Sequence, residues 1–167
     1  MQDHVELILE QWRVQRPSLD VSPVAVFGRI SRIERHKSNA LREVYRRSGC
    51  DSGEYDVLAA LRRTGPPHRL TPTELARSVL VNSATMTERL TRLERRGLLE
   101  RSHSERDRRS VTVELTKTGR SLIDRAAEDL VAAQAELLTS LTKADRAQLA
   151  HLLAKLAGAL DAGETRQ

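Results

Sequence analysis

The side chains with the clearest chemistry in this sequence are hydroxyl and guanidinium groups between residues 83 and 109. Apolar residues recur there at helical spacing, at Met86, Leu90 and Leu93, so the polar side chains between them are predicted to face outward from a helix that ends at Gly97. Small hydroxyls allow close approach to a phosphate or a base edge, and one arginine can bond two acceptors of a guanine. The candidate DNA-contacting residues on this helix are Ser83, Thr85, Thr87, Arg89 and Arg92.

A second cationic group lies in a polar connector between two strand-like segments. Val111, Val113 and Leu115 alternate with polar residues, which indicates a strand, and residues 98–103 have the same character. The two segments are predicted to form a hairpin whose tip enters a minor groove or brackets the DNA backbone. The candidate DNA-contacting residues at this tip are Arg106, Arg108 and Arg109. Asp107, between them, is expected to pair with an arginine and shape the loop.

Capping residues, prolines and glycines divide the rest of the chain into helices. The first helix is predicted from Val5 to Arg16-Pro17, and the second from Ser22-Pro23 to Gly49, with Ser22 as its N-cap. The third is predicted from Asp51 or Ser52 to Gly65-Pro66-Pro67, and the fourth from Thr71 to Val79. Further helices are predicted to start at Asn82 or Ser83, at Thr116 and at Thr142. The predicted fold is mostly α with a small β-hairpin wing, a winged helix-turn-helix. Residues 49–116 are expected to form this DNA-binding domain. Residues 1–48 and 117–167 are expected to supply helices for a dimer.

Composition supports a nucleic-acid partner over the other classes. The formal charge is +5, and only 2% of residues are aromatic, which suits helices packed through Leu, Ala and Val. Cys50 is the single cysteine, so one chain contains neither a disulfide nor a cysteine-based zinc cluster. No apolar run approaches the roughly 18 residues of a membrane span, and the N-terminus lacks a signal-peptide pattern. We expect a cytoplasmic protein without a membrane partner, a metal or another cofactor, and no catalytic motif indicates an enzyme.

The stretch from Glu54 to Asp124 closely resembles the MarR family of winged-helix transcription regulators. The most specific match is the wing sequence Asp107-Arg108-Arg109-Ser110. The resemblance implies a homodimer joined through its N- and C-terminal helices, with one recognition helix and one wing per subunit on a pseudo-palindromic operator. It also implies a repressor released by a small ligand or by oxidation. The apolar surface of the terminal helices, too large for a central three-helix unit to cover, is an independent reason to expect a dimer.

The chain is also similar to the PecS-like, urate-responsive branch of that family, through Gln11-Trp12, the connector 16–20 and the segment 55–58. The positions that match the ligand residues of that branch are Trp12, Asp56, Arg63 and Arg101. Urate or a related purine is therefore the leading ligand, and a phenolic or tricarboxylic acid is the alternative. Seven residues of helix put Asp56 and Arg63 on one face about 10 Å apart. Ala59 and Ala60 between them are expected to leave room for the ligand.

Other interpretations of these residues stay open at this point. Trp12 is alternatively a core anchor, and Asp56 alternatively pairs with an arginine for stability. Cys50 is alternatively an oxidation sensor, although no partner thiol exists in the chain. A winged-helix module that binds an acidic protein instead of DNA is the remaining class.

Overall fold

The computed structural model describes residues 3–103 and 111–164, and the fold in these ranges is mostly helical with a small antiparallel sheet. This confirms the predicted fold class. The elements are α1 (His4–Gln15), α2 (Ser22–Ser48), α3 (Ser52–Arg63), β1 (Arg69–Leu70), α4 (Pro72–Ser78), α5 (Ser83–Arg95), β2 (Leu99–His103), β3 (Val111–Leu115), α6 (Lys117–Leu137) and α7 (Lys143–Glu164).

Local capping chemistry explains where most of the helices begin. The Asp51 side chain accepts from the Glu54 N–H at 2.8 Å, and Glu54 accepts in return from the Asp51 N–H at 3.3 Å, which forms a capping box at α3. Asn82 caps α5 by accepting from the Thr85 N–H at 2.9 Å. These starts confirm the sequence predictions.

The predicted cap of α2 was wrong by one residue. Val21 is the N-cap and Ser22 is already the first helical residue. The carboxylate of Asp20 accepts from both the N–H and the hydroxyl of Ser22, at 2.9 and 3.1 Å, so the serine side chain is occupied from the preceding turn. Val21 therefore takes the N-cap position, and Asp20 supplies a side-chain acceptor for the first N–H of the helix.

The sheet has the strand order β1-β3-β2, with Leu70 opposite Val113 and Leu99 opposite Leu115. The predicted hairpin is confirmed in its described strands, whereas β1 was not predicted. Arg69 on β1 reaches Glu114 on β3 at 2.6 Å. The predicted tip residues Arg106, Asp107, Arg108 and Arg109 lie outside the described residues.

The main core surrounds α3, whose Val57, Leu58 and Leu61 are fully buried. The inner face of α5, namely Met86, Leu90 and Leu93, completes this core as predicted. Gly119, in the first turn of α6, lies directly against the carbonyl of Leu98, where any side chain would clash with backbone. The close approach at Gly119, together with the contacts of α3 and β3 with α6, packs the DNA-binding segment against α6.

The terminal helices are far less covered than the core. Nearly every residue of α7 is exposed in the single chain, including Leu152 at 54% and Leu160 at 56%. Phe27 on α2 is also 52% exposed. Among the helices in the described ranges, none is both long and apolar enough to cross a bilayer.

Candidate nucleic-acid interface and ligand cavity

The helix-turn-helix consists of α4, a short turn and α5. Leu80 in the turn adopts a positive φ of 54° and is almost fully exposed. Ser83 and Thr87 lie exposed on α5, and Thr85 is half-buried beside the Asn82 cap. The structure therefore brings the predicted hydroxyls together at the N-terminal half of an exposed helix. A helix start of this kind suits the major groove, because it admits backbone and small side chains close to the bases.

Arg92 does not point freely outward, and that part of the prediction was wrong. Its guanidinium group contacts Glu54 at 2.9 Å, Asp51 at 3.0 Å and Glu88 at 2.9 Å. The physical reason is charge: two acids at the start of α3 attract the arginine toward the body of the protein. A contact between Arg92 and a phosphate would have to compete with these carboxylates.

Arg89 is also turned toward α3, against the predicted outward orientation. A Cβ built at Gly53 would lie 2.6 Å from its Nε, so the guanidinium group lies on bare backbone in the first turn of α3. Arg89 is half-buried in this position. The missing side chain of Gly53 is what creates the space for it.

Glu54 is a residue that sequence reasoning missed as a functional candidate. It is 5% exposed, and its two carboxylate oxygens bind Arg92 at 2.9 Å and Arg96 at 3.0 Å. One buried acid thus holds two arginines of the recognition helix to α3. The sequence signal for it is the Asp51-x-x-Glu54 capping box, which predicts a helix start but not the partners on α5.

A cavity with a volume of about 610 Å³ lies between α2, α3 and α6. Its lining residues are Glu34, Lys37, Ser38, Leu41, Arg42, Tyr45, Ser52, Tyr55, Asp56, Leu130 and Gln134. The rings of Tyr45 and Tyr55 meet edge to face, 5.8 Å apart, and Lys37 pairs with Glu34 at 2.6 Å. The cavity therefore offers aromatic surface and cations to a small polar molecule.

Asp56 borders solvent at this cavity in the single chain. The protein around its carboxyl group removes water, and this desolvation is the largest effect and raises the pKa of Asp56. The positive charges of Arg89 and Arg63 oppose the rise. Asp56 thus interacts electrostatically both with the recognition helix and with Arg63, seven residues farther along α3.

The other three ligand candidates do not line this cavity. Trp12 lies on α1 and is 44% exposed, Arg63 is exposed at the end of α3, and Arg101 on β2 contacts Glu94 at 3.3 Å. The single chain therefore brings Asp56 and Arg63 into electrostatic reach but does not gather all four residues in one pocket.

The expectation that Ala59 and Ala60 leave room for a ligand was wrong. Both alanines are buried in the main core and are absent from the cavity wall. The face of α3 that carries them packs against the rest of the protein. Tyr55 and Asp56 of the cavity wall belong to the segment 55–58 that carries the resemblance. Tyr45 and Lys37 carry no sequence motif that would have identified them.

Cys50 is 5% exposed, and burial is the largest effect on its thiol and raises the pKa. Arg96, whose Nη2 lies 3.6 Å from Sγ, opposes this rise. A buried thiol with a raised pKa is a poor nucleophile, which disfavours direct oxidation sensing. Within residues 3–103 and 111–164, no group of three or more potential metal ligands is clustered.

Comparison with known proteins agrees with this geometry. The model of the MarR family matches residues 51–111. The regulator PecS of Dickeya dadantii is 38% identical over 149 residues, which cover 89% of this chain and 90% of PecS.

Two solved structures share the fold and are of functional interest. BpsR of Bordetella bronchiseptica, whose DNA binding is regulated by 6-hydroxynicotinic acid, has a TM-score of 0.68 and 26% identity, and the match covers 80% of this chain and 98% of BpsR. A mutant of MarR from E. coli complexed with operator DNA has a TM-score of 0.69 and 27% identity, with 83% and 99% covered.

These matches confirm the prediction of a regulator and not an enzyme. The winged helix-turn-helix, the exposed recognition helix and the similarity over most of the chain lead to one assignment. The chain belongs to the MarR family and is a DNA-binding transcription regulator.

Proposed function

We propose that this protein is a homodimeric repressor that leaves its operator when a small anionic ligand enters the cavity between α2, α3 and α6. The observation that carries the proposal is the position of the start of α3. Ser52, Tyr55 and Asp56 line the cavity, whereas Asp51, Gly53 and Glu54 contact arginines of α5. A change of charge or packing in the cavity therefore acts on residues adjacent to those that hold the recognition helix.

In the DNA complex, α5 enters the major groove and the hairpin tip contacts the adjacent backbone or minor groove. The proposed contacts are Ser83, Thr85, Thr87, Arg89, Arg92, Arg106, Arg108 and Arg109. The exposed first half of α5 and the operator complex of the MarR relative support this placement. Arg92 reaches phosphate only if it exchanges a carboxylate partner, so we assign it the weaker contribution.

We propose that a second copy of the chain buries the exposed apolar surface of the terminal helices. Exposed leucines along α7 and exposed apolar residues on α1 and α2 support this assignment, since a soluble monomer rarely leaves so much apolar surface open. Sedimentation of the wild type and of Leu152→Glu tests it. We expect the wild type to sediment as a dimer and Leu152→Glu to dissociate more readily. A wild type that sediments as a monomer would contradict the proposed homodimer.

The proposed effector is a planar anion, with urate as the first candidate. Lys37, Arg42 and the two tyrosines supply cationic and aromatic contacts, and Asp56 is the one matched ligand residue that lines the cavity. Trp12, Arg63 and Arg101 reach the same ligand only through a second subunit or a shift of the helices and the strand that carry them. The regulation of BpsR by 6-hydroxynicotinic acid supports a ligand of this size and charge. A phenolic or tricarboxylic acid is the alternative effector.

DNase footprinting on the region upstream of the gene, with and without effector, tests the function. We expect protection of a pseudo-palindromic site that urate removes, with 6-hydroxynicotinate, salicylate and citrate as comparison ligands. If the protein protects random-sequence DNA as strongly as the upstream region, sequence-specific regulation is contradicted. Calorimetric titration of urate into Lys37→Ala and Arg63→Ala then separates the cavity from the matched arginine. Unchanged affinity in Lys37→Ala would place urate elsewhere.

A further inference from the structure

The exposed side of α5 carries hydrogen-bond acceptors and methyl groups where arginines were expected. We name this side the acceptor face; its residues are Ser83, Ala84, Thr87 and Glu88, all exposed. The guanidinium groups of Arg89 and Arg92 are held against α3 instead. The chemistry that this helix offers to a base edge is therefore that of the acceptor face.

The hydroxyl of Thr87 has already used its proton within the helix. Its Oγ1 donates to the carbonyl of Ser83 at 2.8 Å, so the side chain offers outward a methyl group and oxygen lone pairs. Ala84, one turn earlier, offers only a methyl group. These groups suit the thymine methyl and the amino groups of cytosine and adenine better than the two acceptors of guanine.

Glu88 is the strongest acceptor on this face. Its side chain is 70% exposed, and its Oε1 accepts from Nη1 of Arg92 at 2.9 Å. Its Oε2 has no hydrogen-bond donor among the residues that the structure describes. Arg92 is itself fixed by Glu54 at 2.9 Å, so the carboxylate of Glu88 is oriented from inside the protein. One oxygen is held and the other faces outward.

We propose that Glu88 is a specificity-determining residue that accepts a hydrogen bond from the N4 amino group of a cytosine in the operator. Cytosine presents only this donor in the major groove, whereas adenine places the acceptor N7 beside its amino group, where it would repel a carboxylate. Arg92 lowers the repulsion between Glu88 and nearby phosphates. The inference rests on the proposed function, because it requires α5 in the major groove.

Selection from a library of random-sequence duplexes, with sequencing before and after binding, tests this assignment. We expect the wild type to prefer cytosine by about fivefold at one position of each half-site, the lower end of the discrimination given by bidentate contacts, because this contact is a single hydrogen bond. Glu88→Gln is expected to lose this preference or to change it to adenine, whose N6 and N7 a glutamine can bond together. Glu88→Asp keeps the charge but shortens the reach, so it should lose the preference without a shift to adenine.

Glu128→Gln is the matched control, because it removes the same charge from an exposed position on α6. It should select the same sequences as the wild type. If Glu88→Gln binds every duplex more tightly with an unchanged base profile, Glu88 acts only as a repulsive charge and the proposal is wrong. A wild type that enriches a clear operator without the cytosine overturns this inference alone. A wild type that enriches no sequence overturns the proposed function as well.

Discussion

The guanidinium group of Arg89 on α5 lies on the backbone of Gly53 in the first turn of α3. Next to this contact, Glu54 holds Arg92 on the same recognition helix. Asp56, three residues after Gly53, lines the cavity between α2, α3 and α6 and interacts electrostatically with Arg89. The first two turns of α3 therefore contact both the recognition helix and the cavity between α2, α3 and α6.

Gly53→Ala should separate the stability of the fold from the position of Arg89. Alanine stabilises a helical site by about 0.5–1 kcal/mol relative to glycine. This gain opposes the loss of the contact with Arg89, so the free energy of unfolding should stay near the wild-type value. The new methyl group displaces the guanidinium group of Arg89 and so removes a contact that holds the recognition helix to α3. We therefore expect operator affinity to fall about tenfold, or about 1.4 kcal/mol. Urea unfolding and fluorescence anisotropy with labelled operator measure the two effects.

Ser121→Ala, at an exposed position on α6, is the control for Gly53→Ala. It should keep full operator affinity. Wild-type affinity in Gly53→Ala as well would show that the placement of Arg89 on α3 has no part in DNA binding.

Glu54→Gln should destabilise the fold by about 1–3 kcal/mol. The neutral amide weakens two charge-assisted hydrogen bonds and places an N–H₂ group against arginine donors. Glu88→Gln removes the exposed partner of the same Arg92 and should cost less than about 1 kcal/mol. Urea denaturation of the two variants measures the difference. Equal losses would mean that the burial of Glu54 contributes nothing to its role.

Asp56→Asn should stabilise the ligand-free protein near neutral pH. The pKa of Asp56 is raised above its usual 3.8, chiefly by desolvation, so the folded state disfavours the ionised form. The wild type therefore loses stability, relative to Asp56→Asn, as the pH rises from about 3.8 through the raised pKa of the folded state. Below pH 3.8 the side chain of Asp56 becomes neutral, as the asparagine is, and the two proteins should converge in stability. Thermal unfolding from pH 3.5 to 7.5 measures this, and a difference that grows toward low pH would reverse the assignment.

Cys50 should react slowly with thiol reagents in the native protein. The side chain is buried and burial raises the pKa of its thiol, so little thiolate is accessible at neutral pH. We expect a chromogenic disulfide reagent to label Cys50 fully in urea but only slowly without it. Hydrogen peroxide should leave operator binding unchanged in both the wild type and Cys50→Ser. Rapid native labelling together with peroxide-sensitive binding would restore the oxidation-sensor alternative.

The amino-acid sequence by itself determined where most of the helices begin and which face of α5 is buried. Asp51 with Glu54, and Asn82 with the N–H of Thr85, are capping contacts over three residues, so they are visible in the local pattern. Met86, Leu90 and Leu93 follow the helical period and are buried as predicted. Similarity over most of the chain then identified the family and the DNA-binding helix.

Only the tertiary structure decided where the arginines of that helix point. Of the three acidic partners of Arg92, Glu88 is four positions away on the same helix, but Glu54 and Asp51 are 38 and 41 positions away. Helical periodicity holds no information about charges on another helix. The same holds for β1, a two-residue strand whose pairing depends on β3, and for the cavity, whose walls come from three helices. Helix starts depend on neighbours in sequence, whereas the direction of a long cation depends on which carboxylates the packed chain brings beside it.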